Sequence, residues 1–271
     1  MNQGHREKER DGPRAMRLGK HQLVAAQEFA ALSRLPIDGR TVLFYASLVV
    51  CSIPLVPFFL GVYFLPHRLW WPLVLLWLNL VLFLLKWVSG VTYEITGREN
   101  LPKEPHLLAS GHESVWEVLF YQMFFGNPVA FTKRAIFSYP FAGPMAHRYG
   151  HIPIEKETDL EGLRAGFVMA KAAIAKGRSV LIFPSGSRNR ALRGTMQKGV
   201  AALYRVLNVP CVPIVIDSGH CWPHDTWPIH PGVIHVRVLP PIAPGLSAPT
   251  FLEVLGQQLS QPADGQPAQT G

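Results

Sequence analysis

Charge is what this chain has least of. Of its 271 residues only 16% are charged, where a soluble domain carries about 25%, so part of the chain avoids water. Acidic residues are the scarcer half: 18 Asp and Glu stand against 26 Lys and Arg, for a net charge of +8 and a pI near 9.6. Basic chains of this kind bind nucleic acid or anionic lipid surfaces. No nucleic-acid-binding motif is present, so no nucleic-acid partner is expected and a lipid surface is favoured. Cysteine is almost absent. Cys51, Cys211 and Cys221 are odd in number and lack framework spacing, which argues against a disulfide scaffold and fits a reduced, cytoplasmic setting.

The missing charge is concentrated in one place. From Thr41 to Leu85 the only charged side chain is Arg68. Two apolar segments, Thr41–Leu65 and Leu69–Leu85, flank a Pro66-His67-Arg68 break. The first has spanning length and the second lies near the lower limit of about 17 residues. The stretch starts too far along, and is too long, for a signal peptide, and it has no clear small-residue cleavage site. Two helices with no polar face have little reason to lie on a soluble domain, so the segment reads as a membrane hairpin. Arg34 and Arg40 precede it, and Lys86 and Arg98 follow. The bias of basic residues toward the cytoplasm then puts both ends, and the domain that follows, on the cytoplasmic side of the inner membrane. A hairpin crossing twice and one dipping into a single leaflet are both compatible with this pattern.

Four regions follow: a basic polar arm (1–40), the membrane hairpin (41–86), a folded domain (87–259), and a Gln-, Pro- and Gly-rich tail (260–271) that reads as disordered. In the folded domain short apolar runs alternate with helical patterns. Strands are expected at Val91–Ile95, His106–Ser110, Pro128–Thr132, His151–Ile154, Ser179–Phe183, Cys211–Ile216 and Val233–Leu239. Helices are expected at Ser114–Phe125, Asp159–Lys176, Gly194–Leu207 and Pro249–Leu259. This is the pattern of an α/β fold with a largely parallel sheet flanked by helices. In such sheets ligands collect at the carboxyl ends of the strands. Both His112 and the run Phe183–Arg188 follow such ends.

Gly111-His112-Glu113-Ser114-Val115-Trp116-Glu117 carries the first chemical signal. Five helical positions turn about 140° away from the starting face, so His112 and Glu117 cannot meet within one regular helix. They can meet if His112 lies in the strand-to-helix turn and Glu117 in the first helical turn. An imidazole whose second nitrogen is held by a carboxylate is a general base. Ser114 and Glu117 are also a Ser-x-x-Glu capping box, which needs no catalysis. The segment by itself leaves both readings open.

Three more blocks follow: Lys133-Arg134 with Phe137 and Pro140-Phe141-x-Gly143; Phe183-Pro184-Ser185-Gly186-Ser187-Arg188; and Val212-Pro213 running to Asp217-Ser218-Gly219. In this order, and with the hairpin ahead of them, they resemble the bacterial 1-acyl-sn-glycerol-3-phosphate acyltransferases, over about residues 40–245. The resemblance implies transfer of an acyl chain from a thioester, acyl-CoA or acyl carrier protein, to the free hydroxyl of lysophosphatidic acid. The product is phosphatidic acid, a step in phospholipid biosynthesis. It implies His112 as the base and Glu117 as its orienting carboxylate. It also implies Lys133, Arg134, Ser185, Gly186, Ser187 and Arg188 as acceptor-binding positions, with arginine suited to bind phosphate as a fork. Gly186 would admit close approach of the backbone. Lys198-Gly199 matches a further step common in the family. Direct transfer calls for no cofactor and no metal.

The chain departs from the family pattern at four places. Glu117 stands for the commoner aspartate, Ser187 for threonine and Asp217 for asparagine. Ser185 stands for glutamate and removes a carboxylate from the acceptor site, which points to another lysolipid acceptor or to a weakened or non-catalytic membrane-bound relative. Two other classes fit less well. A zinc hydrolase built on His220-Cys221-x-x-His224-Asp225 lacks the second histidine of His-Glu-x-x-His, since position 116 is Trp. A serine hydrolase built on Ser185 lacks the glycine that precedes the nucleophile in Gly-x-Ser-x-Gly.

Overall fold

Strands buried on both faces decide the architecture. In the computed structural model, residues 38–57, 66–140, 142–155, 160–188 and 195–264 are described. Most of the basic arm (1–37), the middle of the hairpin (58–65), Phe141, residues 156–159 and 189–194 and the end of the tail (265–271) lie outside the described residues. Seven strands form one sheet: β1 Val91–Thr96, β2 Leu107–Ser110, β3 Val129–Lys133, β4 Ile152–Ile154, β5 Val180–Ile182, β6 Cys211–Ile216 and β7 Gly232–Val238. Their order is β1-β7-β6-β2-β5-β3-β4. All neighbouring pairs are parallel except β6 with β7. The ends of β2, β3, β4, β5 and β6 therefore share one edge, at which β1 and β7 begin.

Among the described residues seven helices cover the sheet: α1 Gly39–Ser52, α2 His67–Leu84, α3 Trp116–Phe124, α4 Ala142–Tyr149, α5 Leu160–Ala175, α6 Lys198–Leu207 and α7 Ala248–Leu259. Side chains alternate across each strand. Leu108, Leu181, Val212 and Ile214 pack in one apolar cluster with α1, α2 and α3. Leu107, Val180, Cys211 and Val215 pack in another with α5, α6 and α7. Both faces are thus covered, which is why the strands read as unbroken apolar runs. The chain also holds a helix, α4, that its sequence hides. The Gly143-Pro144 pair reads as a turn, yet here it opens a helix packed so close that a Cβ on Gly143 would lie 2.2 Å from the Phe137 carbonyl oxygen. At the other end, Ala263 is buried against the second cluster, so packing continues into the segment whose composition reads as tail.

The apolar hairpin has two apolar faces with different neighbours. On α2 and the π-helical turn Leu85–Ser89 that extends it, Trp70, Val74, Leu78, Val81, Leu84 and Leu85 are buried in the first cluster. Their spacing of three and four residues is one helical stripe. Leu69, Leu76, Phe83 and Trp87, on the other side, are exposed. Helix α1 is fixed to the domain by Phe44 edge-on against Trp222 and by the Ile229 N–H donating to Thr41 Oγ1 at 2.9 Å. Trp77 Nε1 donates to Ser52 Oγ at 2.9 Å and joins the two helices. Among the described residues Leu69–Ser89 is the helix long and apolar enough to cross a membrane, at 21 residues and mean hydropathy 1.9, while Gly39–Leu55 is shorter.

This two-sided helix separates stability from surface binding. Leu85→Ala removes a fully buried side chain and should cost about 2–5 kcal/mol in a thermal melt of the detergent-solubilised protein. Phe83→Ala removes an exposed one and should change stability by about 0.5 kcal/mol or less, while reducing co-flotation with anionic vesicles. Equal destabilisation by the two substitutions would contradict the packing described.

Candidate active site

Strand β2 ends in the core, and the Gly111 N–H extends its pairing by donating to the Ile214 carbonyl at 3.1 Å. The chain then turns into α3, with Ser114 Oγ accepting from the Trp116 N–H. Glu117 lies in the first helical turn, fully buried, with its carboxylate folded back under that turn. Its Oε1 accepts from the N–H groups of Glu113 and Ser114, both at 2.7 Å, and from His112 Nδ1 at 2.9 Å. Its Oε2 accepts from Ser218 Oγ at 2.7 Å. The helix-capping contact and the contact to the His112 ring are therefore both made, by one side chain. An ionised carboxylate is acceptor-only, and four donors at the positive end of a helix match it.

This arrangement fixes the tautomer of His112. With Nδ1–H donated to Glu117, the lone pair of the ring is on Nε2. Phe183, at the end of β5, stacks on the imidazole with ring centroids 4.0 Å apart and planes 19° apart. The Nε–H of Arg188 reaches His112 Nε2 at 3.0 Å. His112, Glu117 and Arg188 thus meet in space as well as in sequence order.

The turn carrying Arg188 is closed by its own residues. The Ser185 hydroxyl donates to the Ser187 carbonyl at 2.8 Å, and the Gly186 N–H donates to the Phe183 carbonyl at 2.9 Å. Gly186 is in the left-handed region at φ 62°, and a Cβ there would lie 2.1 Å from the Gln197 amide nitrogen. The left-handed backbone of the turn favours glycine at this position, with the movable Gln197 amide lying over it. The Ser185 hydroxyl is turned onto Ser187 and makes no contact with His112, so it lacks the base a nucleophilic serine needs.

Lys133 and Arg134 stand on the same edge but not in this cluster. β3 is separated from β2 by β5, two strand spacings or roughly 10 Å. Arg134 Nε pairs with Glu155 Oε1 at 2.8 Å, with both side chains more than half exposed; such a screened pair is easily exchanged for another partner. The carboxylate of Asp217 accepts from the His235 backbone N–H at 2.7 Å and ring Nδ1 at 2.9 Å, tying β6 to β7. His220 turns Nδ1 onto the Asp217 carbonyl, and its Nε2 meets Cys221 Sγ at 3.2 Å. Burial, with the Asp217 charge adding to it, pushes the Cys221 thiol up to about 11, and burial raises Cys211 as well. Among the described residues no three metal-ligating side chains converge.

Ser218, Glu113 and Phe183 are the functional neighbours that motif reading passes over. Buried Glu113 accepts from the Gly219 N–H at 3.2 Å and pins the turn that carries Ser218. The available signal was a hydroxyl just past the end of β6, and its meaning depends on β6 lying beside β2.

Residues 92–217 match the family model described as acyltransferase. The chain is 30% identical over 223 residues to the 1-acyl-sn-glycerol-3-phosphate acyltransferase of Pseudomonas aeruginosa, covering 81% of this chain and 86% of that protein. It is 26% identical to the enzyme of the same name from Limnanthes douglasii, over 58% of this chain and 56% of that one. Its fold is similar to the crystal structure of the 1-acyl-sn-glycerophosphate (LPA) acyltransferase from Thermotoga maritima. The TM-score is 0.61 at 18% identity, covering 85% of this chain and 97% of that one.

Ser218→Ala removes one of four donors from a buried carboxylate and should cost about 1–3 kcal/mol of stability, with a fall in whatever turnover depends on His112. Unchanged melting and turnover would show that Oε2 finds another donor.

Proposed function

The chain belongs to the 1-acyl-sn-glycerol-3-phosphate acyltransferase family, and from that premise we propose that it acylates the free hydroxyl of lysophosphatidic acid, making phosphatidic acid at the cytoplasmic face of the inner membrane. The observation that carries the reading is the His112–Glu117 contact, with the lone pair of the ring left on Nε2. That nitrogen takes the proton of the acceptor hydroxyl as its oxygen attacks the thioester carbonyl. Glu117 keeps the ring oriented and stabilises the imidazolium. As the tetrahedral intermediate collapses, the imidazolium returns the proton to the departing thiolate. A base used in this way contributes typically about 10²–10⁴-fold in rate. No acyl-enzyme is needed, and the thiols of Cys211 and Cys221, both raised by burial, suit that reading.

Arg188 is the first candidate for the acceptor phosphate. Its guanidinium lies against the base, and among the described residues no acidic side chain pairs with it. Lys133 and Arg134, further along the edge, extend the positive surface toward the phosphate or toward the phosphates of coenzyme A or of the carrier protein's prosthetic group. Ser185, Gly186 and Ser187 contribute the shape of the turn. The exposed apolar face of α2 supports a seat in one leaflet: the opposite face is covered by the domain along its length, and a helix so covered could not span without drawing the domain in.

One observation favours a second acceptor. The turn Ser185–Arg188 holds no carboxylate, and the Ser185 hydroxyl is engaged with Ser187, so the contact that a glutamate there would make with the acceptor is missing and an acceptor that does not need it, such as a lysophospholipid with a head group, fits the turn. Labelled acyl-CoA and acyl carrier protein offered with a panel of lysolipids to the detergent-purified protein separate these readings. Label should enter phosphatidic acid and fall by about 10²-fold or more in His112→Ala. Label in another lysolipid, moved back toward phosphatidic acid by Ser185→Glu, would mark Ser185 as the acceptor determinant. Transfer to none would make the chain a non-catalytic relative.

A further inference from the structure

The nitrogen that must take the acceptor's proton already accepts a hydrogen bond. An imidazole nitrogen carries one in-plane lone pair, and on His112 Nε2 the Nε–H of Arg188 lies at 3.0 Å. The ring has no means of turning away. Glu117 holds Nδ1, and Phe183 lies flat against one face. Among the described residues three groups touch the imidazole; of these Glu117 is fully buried in a net of four donors and Phe183 is packed against the core. Arg188 is the movable one, a long, partly exposed side chain at the end of a turn that closes without it.

We propose that Arg188 is a cap on the catalytic base, lifted by the phosphate of the acceptor, so that phosphate recognition switches the base on as well as binding the substrate. This rests on the acyltransferase reading above. The exchange is favourable because a guanidinium binds a phosphate through charge-assisted, forked hydrogen bonds, roughly twice as strong as bonds to neutral acceptors. An uncharged imidazole offers one bond without opposite charge. When the guanidinium moves to the phosphate, the lone pair of Nε2 is free for the hydroxyl of the same molecule. A lysolipid without a phosphate within reach would meet a base still capped. Acceptor discrimination would then appear in kcat as well as in KM.

Carbethoxylation reads the cap without turnover. The lone pair of an unprotonated imidazole nitrogen attacks one carbonyl of diethyl pyrocarbonate and expels ethyl carbonate, and labelling of His112 is followed by peptide mass spectrometry. In the wild type His112 should label slowly, and saturating methyl phosphate, which carries the phosphate but no alcohol hydroxyl to take the freed lone pair, should accelerate it about tenfold, the ratio expected from one hydrogen bond to a charged donor. Glycerol should do nothing. Arg188→Ala should label fast with or without methyl phosphate. Arg188→Lys, which keeps the charge but loses the Nε–H, should also label fast. Circular dichroism of each variant checks folding. Labelling of Arg188→Ala and Arg188→Lys at the wild-type rate, or no acceleration of wild-type labelling by methyl phosphate, would overturn the cap. Acyl transfer by the same variants keeps the two ideas apart. Loss of the cap predicts a higher kcat with monoacylglycerol in Arg188→Ala, and loss of the phosphate contact a higher KM with lysophosphatidic acid. Fast labelling with no transfer by any form would leave the cap standing and remove the acyltransferase reading.

Discussion

A carboxylate with no access to water must find all its partners inside the protein, and Glu117 is that carboxylate. An ionised group buried without partners costs several kcal/mol, so the need for donors organises what surrounds it. Two come from the backbone of the turn between β2 and α3, one from the His112 ring, and one from Ser218 at the end of β6. The start of the helix, the tautomer of the imidazole and the joining of two strand ends all depend on that one group. Glu113, one residue past the histidine, secures the β6 turn from below through Gly219. Phe183 brings in β5 as the flat wall of the ring. The site is a meeting of three strand ends at the carboxyl edge of the sheet, which is where open α/β sheets present their ligand sites.

The scarcity of charge has two physical sources. A sheet covered on both faces needs apolar side chains at every position of its central strands, and Leu107-Leu108-Ala109 supplies them. The hairpin needs them again, because one side of α2 enters the core while the other faces outward. Trp70 packs on Tyr149, just ahead of β4, and the far end of the helix reaches Gly90 and β1. Its outer face is therefore held rigidly relative to the edge that carries His112. On the reading proposed above, with His112 as the base and the outer face of α2 against lipid, this fixes the height of the base above the bilayer, a form of positioning, the effect from which catalysis of two-substrate reactions draws much of its rate.

Much of the fold was legible because burial writes a repeating signal. All seven strands are legible within one or two residues of their ends, the central ones as apolar runs and β7 as an alternation of apolar and polar residues, and α3, α5, α6 and α7 as helical patterns. Helix α4 was not, since Gly143-Pro144 carries the local signature of a turn and only contact with Phe137 makes it the start of a helix. The far end of the second apolar segment was not legible for a related reason. Hydropathy measures apolar content along the chain and is blind to the π-helical turn at Leu85–Ser89 that lengthens α2.

The sequence by itself determined the α/β class and the two apolar N-terminal segments, and offered the pairing of His112 with Glu117 as one of two readings, because periodicity and spacing are local properties that a linear pattern carries. Tertiary structure alone decided that His112 and Glu117 meet, that Ser218 completes the carboxylate, that Arg188 lies on the His112 ring, that Arg134 pairs with Glu155, and that one face of the second apolar helix belongs to the core. Each of these depends on which strand lies beside which. That order is set by the packing of the whole sheet, and no short stretch of residues encodes it.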